Sequence, residues 1–221
     1  MRILTIETST PLEIVAVVEG DRVLAERRTA AGRGHRDELA GSIAEVLGRS
    51  GTPFSDLHAI AVSIGPGRFT GLRVGLATAK GLAVTSGVGV RAVRTLPALA
   101  VTADVRSGLT CPTLDARRGE VYASLYRPGS ADALMEEAAV RPEGLAGRVR
   151  ALAAGDRVTF VGTGAVAYRG EFEALLGADA LFAPDELSAP APRALARLAL
   201  DVPELRGAEL AALEPVYLRG V

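Results

Sequence analysis

The residues able to do chemistry are few and concentrated. Ser63-Ile64-Gly65-Pro66-Gly67-Arg68-Phe69-Thr70-Gly71-Leu72-Arg73-Val74-Gly75 joins an apolar strand, a tight glycine turn and a helix start. Backbone N–H groups and a helix dipole in that arrangement can cradle an anion. Its spacing departs from both nucleotide signatures, however. No Gly-Lys-Ser/Thr follows Gly65 or Gly67 at P-loop distance, and Thr70 stands where the dinucleotide fingerprint wants glycine, with Gly71 one place too late. Gly71, Gly75 and Ala79 then recur every four residues, leaving one helix face almost without side chains. A helical glycine costs about 1 kcal/mol relative to alanine, so another element must approach that backbone closely. Spacing leaves two candidates, the chain's own sheet and a helix of another subunit.

Glu7 ends an apolar run beside Thr8 and Ser9, a position suited to a phosphate contact or a metal-bound water, or to a solvated strand end. Asp115-Ala116-Arg117-Arg118-Gly119-Glu120-Val121-Tyr122 brackets a turn, either as an internal Asp–Arg pair or as a substrate clamp. Val161-Gly162-Thr163-Gly164-Ala165-Val166-Ala167 fits a relaxed Gly-x-Gly-x-x-Ala. Too little sheet follows it for a dinucleotide domain, which favours a structural turn. The two histidines, His35 and His58, lie far apart and outside any chelating spacing, so no metal ligands are assigned. No Gly-x-Ser-x-Gly elbow occurs, and Cys111 is the single cysteine, with no histidine near it in sequence. A serine hydrolase, a zinc hydrolase and a disulfide scaffold are therefore disfavoured.

Composition narrows the classes further. The 221 residues carry 25 Lys+Arg against 26 Asp+Glu, for a net charge of -1. That balance lacks the basic footprint of an autonomous nucleic-acid binder. Five Phe, four Tyr and no Trp supply few stacking platforms for bases. No run of about 18 apolar residues suggests a membrane span, and the N-terminus enters a strand directly, so the expectation is a soluble cytoplasmic protein.

The elements that must hold these residues fall into two similar sets. Residues 2–8, 12–19 and 22–29 read as three strands with connections too short for anything but an antiparallel meander. Leu39, Ile43, Val46 and Leu47 recur at helical spacing between His35 and Gly48. A strand over 57–64, a helix over 70–86, a strand over 88–93 and a helix capped by Thr95 complete a mixed sheet with helices. Strands over 110–116, 120–127 and 134–140, a helix over 142–154, a strand over 158–161, a helix over 165–176 and a strand over 181–183 repeat the plan. A final helix spans 193–200. The expected division is a first lobe over 1–104, completed by 190–221, and a second over 105–189.

Four segments resemble the TsaB (YeaZ) family, in that family's order and almost end to end. They are Ile3-Leu4-Thr5-Ile6-Glu7-Thr8-Ser9, Gly65 through Gly75, Asp115 through Tyr122, and Pro215-Val216-Tyr217-Leu218-Arg219. The second is the most specific. Glu7 departs from the Asp that the family commonly has. The resemblance implies a two-lobed actin-like ATPase (sugar kinase and heat-shock ATPase) fold, each lobe a mixed sheet flanked by helices. It implies a non-catalytic subunit that acts with TsaD and TsaE, using the threonylcarbamoyl-adenylate made by TsaC. Together they form threonylcarbamoyladenosine beside the anticodon of tRNAs reading codons that begin with A. TsaD would be the heterodimer partner and the site of catalysis, a homodimer would form in its absence, and tRNA would be met only through the complex. His35, Leu39, Phe69, Gly71, Leu72, Gly75 and Ala79 are the expected subunit-interface residues. Glu7, Thr8, Ser9, Gly65, Gly67, Thr70, Arg73 and Asp115 are the motif positions near any nucleotide. No tightly bound cofactor is expected, with ATP or ADP a candidate at the junction with TsaD. The rival class is a stand-alone nucleotide-dependent kinase or ATPase of the same superfamily.

Overall fold

The computed structural model describes residues 1–30 and 38–219; His35 therefore lies outside the described residues. Val- and Ile-rich sequence forms β1 (Arg2–Glu7), β2 (Leu12–Glu19) and β3 (Arg22–Ala30), paired antiparallel. Helix α1 (Glu38–Ser50) and α2 (Phe69–Ser86) alternate with β4 (Ala59–Ser63) and β5 (Val90–Val93), which run parallel to β1. Gly87 ends α2 in the left-handed conformation, its N–H returning to Ala83 O at 2.9 Å, the usual glycine stop.

After α3 (Thr95–Thr102) come β6 (Leu109–Arg117), β7 (Glu120–Tyr126) and β8 (Ala133–Val140), then α4 (Pro142–Ala153) and β9 (Val158–Val161). The expected helix over 165–176 is two, α5 (Thr163–Ala167) and α6 (Arg169–Leu176), because Tyr168 leaves helical geometry at φ -117 and ψ 22. β10 (Ala180–Phe182) and α7 (Pro192–Ala199) precede two elements the sequence pattern did not reveal, β11 (Glu204–Leu205) and α8 (Gly207–Ala212). Thr95 begins α3, but its buried Oγ1 has no hydrogen-bond partner, so the expected hydroxyl cap is not made.

The strand orders are β11-β5-β4-β1-β2-β3 and β10-β9-β6-β7-β8. One unit comprises Met1–Thr95 with Ala191–Val216, and the other Leu96–Pro190 with Tyr217–Val221. The division falls before α3, earlier than residue 104, because Leu96 and Leu99 cluster with Leu114 and Val161. The C-terminal segment is shared, with Tyr217 onward belonging to the second unit, where Arg219 contacts Ala116, Arg117 and Glu120.

In the first unit Leu4, Ile6, Val15 and Val17 meet Leu39, Ile43 and Val46 of α1 and Leu76, Ala79 and Ala83 of α2. Helix α7 lies against β1, β2, β4 and β5. Those strands are buried on both faces, which explains their nearly continuous apolar sequence. The second unit centres on Phe160, stacked on Phe172 at 4.4 Å and Phe182 at 5.7 Å. Cys111 is buried in that core, and burial pushes its thiol well above the ordinary range, where it is inert.

Candidate functional site

β1 delivers Glu7 to the point where Thr8-Ser9-Thr10 turns toward β2. The Glu7 carboxyl is fully buried and both oxygens are used. Oε1 accepts the Ser9 N–H at 2.7 Å, the Thr10 N–H at 3.2 Å and the Ser9 hydroxyl; Oε2 accepts the hydroxyl of Ser63 at the end of β4. Burial raises the carboxyl above its ordinary value, against the opposing pull of these hydrogen bonds. Glu7 thus ties the β1–β2 turn to β4. It is neither a solvated strand end nor a group aimed at open space.

The glycine loop closes on the same turn. Arg68 N–H donates to Ser9 O at 2.7 Å. A Cβ on Gly67 or Gly71 would come closer than 3.0 Å to the backbone oxygen of Ser9 or Thr8, and one on Gly75 equally close to Thr8 Oγ1. Gly65, at φ 112, lies under Val216, whose N–H donates to Ile64 O at 2.7 Å. The second and fourth family-like segments therefore meet here. The volume above the glycines, where a phosphate cradle would need space, holds the chain's own backbone.

This settles which way the small face of α2 points. Gly71 and Gly75 receive Thr8, while Ala79 is buried in the core. Leu39 and Leu72 are buried too. The small face thus packs inward, against the β1–β2 turn at Gly71 and Gly75 and into the core over the chain's own sheet at Ala79. Of the expected interface residues that are described, Phe69 alone is exposed, beneath the Arg73 guanidinium at 4.3 Å from the ring centroid. The exposed side of α2 carries Thr70, Val74, Ala77 and Val84 as well, and α1 exposes Ala40, Gly41 and Ala44. A four-residue period located the small face correctly but could not say what fills it. The exposed side lacks a periodic signature because its residues are mixed.

Asp115 belongs to a different arrangement, at the β6–β7 hairpin. Its Oδ1 accepts the Arg117 N–H at 2.8 Å, and its carboxylate pairs with the Arg117 guanidinium at 3.4 Å. The internal pair is therefore formed. Asp115 N–H donates to Thr163 Oγ1 at 3.0 Å, and Tyr168 OH lies 3.5 Å from Oδ1. Burial, then the Asp115 and Glu171 charges, raise the Tyr168 phenol. Arg117, Arg118 and Gly119 all have positive φ, at 63, 59 and 77. For arginine that conformation costs on the order of 1 kcal/mol per residue. Arg219 braces the turn by donating to Ala116 O at 3.0 Å and Arg117 O at 3.4 Å and by pairing with Glu120. Sequence spacing does not reveal this link between the third and fourth segments; its one trace there is the opposite charge of Glu120 and Arg219. Gly162 and Gly164 pack against Thr113 of β6, the structural role expected of that loop.

Among the described residues, no group of three or more His, Cys, Asp and Glu could hold a metal ion. His58 Nδ1 accepts the Arg2 N–H at 3.1 Å, a structural use.

Two units of mixed sheet and helices place the chain in the actin-like ATPase and sugar-kinase fold class. The ROK hexokinase of Thermus thermophilus superposes with a TM-score of 0.52 at 15% identity, over 91% of this chain and 98% of that one. Within the class, the family model for tRNA N6-adenosine threonylcarbamoyltransferase (TsaD) matches residues 27–209. The chain is 33% identical to the tRNA threonylcarbamoyladenosine biosynthesis protein TsaB of Bacillus subtilis, over 99% of this chain and 94% of that one. YeaZ from Pseudomonas aeruginosa superposes with a TM-score of 0.79 at 27% identity, covering 98% and 99%. The chain belongs to the TsaB (YeaZ) family.

Proposed function

We propose that this chain is a non-catalytic accessory subunit in the formation of threonylcarbamoyladenosine in tRNA. The role in that pathway is supported by the full-length similarity to TsaB. The absence of catalysis is supported chiefly by the filled glycine loop. Thr8 and Ser9 occupy the ground above Gly67, Gly71 and Gly75, and Glu7 spends both oxygens holding that turn. A γ-phosphate would need the donors and space that this turn has taken.

The chain's work is then to bind and position TsaD, which carries the transfer chemistry, with TsaE joining them. The exposed side of α1 and α2 suits a helix-to-helix contact: Ala40, Gly41 and Ala44 are small, and Phe69, Val74 and Val84 are apolar. A second copy would use the same surface when TsaD is absent, making the two contacts mutually exclusive. tRNA meets the chain within the complex, in the cytoplasm, and no nucleotide binds the isolated chain tightly. ATP or ADP at the TsaD junction is compatible with this role. No helix among the described residues is long and apolar enough to cross a membrane.

The test is reconstitution with TsaC, TsaD, TsaE, threonine, bicarbonate, ATP and tRNA, with and without this chain. Product is expected only with it. Full product without it would remove the proposal. Micromolar ATP binding with turnover by the isolated chain would favour a stand-alone kinase or ATPase.

A further inference from the structure

Between the last turns of α2 and helix α8, within the first unit, lies a cavity of about 450 Å³ whose apolar lining is Ala83, Val84, Val88, Leu210 and Ala211. Two glycines keep it open. Gly87 ends α2 and Gly207 begins α8, at φ 74 and 51, and a Cβ on either would meet no atom within 4 Å. Glycine takes that conformation without strain, and each leaves a gap where a side chain would stand.

Among the described residues two cations line the cavity and no carboxylate does. Arg206 is engaged: it pairs with Glu204 at 2.7 Å and donates to Gly87 O. Half-buried Lys80 donates one N–H to Ala211 O at 2.9 Å, and an ammonium has three to give. Its own helix offers no counter-ion. Leu76, Ala77, Ala83 and Val84 fill the positions three and four residues away, and residues 69–86 contain no Asp or Glu. Lys80 is also the single lysine among 25 Lys+Arg. Arginine serves at all the other Lys/Arg positions, and the exception falls at this cavity. A compact ammonium suits it, whereas a guanidinium would leave several of its five donors facing apolar walls.

From this juxtaposition we propose that the cavity is a binding site for a small aliphatic carboxylate, its chain among Val84, Val88 and Leu210 and its head group on Lys80. The volume falls within the range of about 300–1,000 Å³ typical of small-molecule sites, which combine apolar walls with a few polar anchors. A charge-assisted bond beside apolar walls is stronger than the same bond in water. One available ammonium matches one carboxylate; a phosphate group calls for more donors than Lys80 has left. The site is built from this chain's own residues and does not depend on the accessory-subunit proposal.

The test is calorimetry on the full chain with butanoate, hexanoate and octanoate, with octylamine and octanol as head-group controls. One octanoate should bind per chain, each added methylene should tighten binding about fourfold, and octanoate should bind at least about tenfold more tightly than octylamine. Lys80→Met should weaken octanoate at least about tenfold and leave octanol unchanged. Val84→Glu, at a position 82% exposed, should stay folded by circular dichroism, give Lys80 a carboxylate four residues on, and lose octanoate binding. Equal binding of octanoate and octylamine, or no dependence on chain length, overturns the proposal in the wild-type chain alone, so it stays falsifiable even if Lys80→Met fails to fold. Wild-type octanoate affinity in folded Lys80→Met or Val84→Glu also overturns it. None of these failures would alter the requirement for the chain in the reconstitution with TsaC, TsaD and TsaE.

Discussion

Helix α2 offers a controlled experiment on what its glycines do, because the same Gly→Ala change has opposite expected signs at Gly71 and Gly81. A methyl at Gly71 would meet the carbonyl oxygen of Thr8, a backbone atom, closer than 3.0 Å; at Gly81 it meets nothing within 4 Å. Relieving the first contact requires α2 and the β1–β2 turn to separate by about an ångström. Glu7 resists that movement by tying the turn to Ser63. Overpacking of this kind costs about 1–3 kcal/mol, toward the upper end for a backbone neighbour, and alanine's helix advantage returns about 1 kcal/mol. Gly71→Ala should therefore lose about 2 kcal/mol. Gly81→Ala should gain about 0.5–1 kcal/mol. For a chain of this length the difference of about 3 kcal/mol corresponds to roughly 6–12 °C between the two melting temperatures. Thermal unfolding followed by circular dichroism and calorimetry reads it directly. Stabilisation in both variants would refute the filled glycine loop.

Gly75→Ala should be destabilising alone but close to neutral with Thr8→Ala, because its clash is with the Thr8 side chain, whose buried Oγ1 has no hydrogen-bond partner; a double-mutant cycle by urea unfolding should give a coupling of about 1 kcal/mol or more, and additivity would contradict the contact. For Glu7, burial raises the folded-state carboxyl above 4.5, so the stability this group supplies is fully present below that value and declines as pH rises through the raised one. The stability margin of wild type over Glu7→Gln should accordingly shrink as pH increases in paired urea titrations, and a margin that grows would mean the hydrogen bonds outweigh burial. Val74→Arg, on the exposed side of α2, should leave the melting temperature within the effect of about 0.5 kcal/mol yet abolish TsaD capture in sedimentation; capture at wild-type affinity would move the contact elsewhere.

The fold was legible wherever a pattern ran for a full period or more. The meander from Arg2 to Ala30 and the helices α1, α2 and α4 carry enough apolar positions to declare their type. β11, with two residues, and α8, with six, carry too few. Tyr168 divides α5 from α6 through its own backbone angles, without a proline or glycine at that position to signal it. At the site, the residue types of Glu7 and the glycine segment mark them as unusual, but residue type alone does not separate a structural use from a ligand-binding one. A carboxylate beside Ser and Thr reads the same whether its partner is a ligand or its own turn. Only the fold reveals that Ser9, Thr10 and Ser63 converge on it. Likewise Gly71 and Gly75 announced a close approach, while the identity of the visitor, Thr8, depended on the β1–β2 turn arriving beside α2. Arg219 and Glu120 were invisible as a pair because about a hundred residues separate them and neither segment has a motif that names the other.

As an accessory subunit, this chain should be required for modification by its presence and by none of its own chemistry. Mass spectrometry of tRNA hydrolysates from the TsaC, TsaD and TsaE mixture, run with wild type, with folded Glu7→Gln and with no added chain, answers both halves at once. Threonylcarbamoyladenosine at comparable levels with wild type and Glu7→Gln, and none without the chain, is the predicted result. Abundant product without the chain, or its loss with a folded Glu7→Gln that still binds TsaD, would contradict the account.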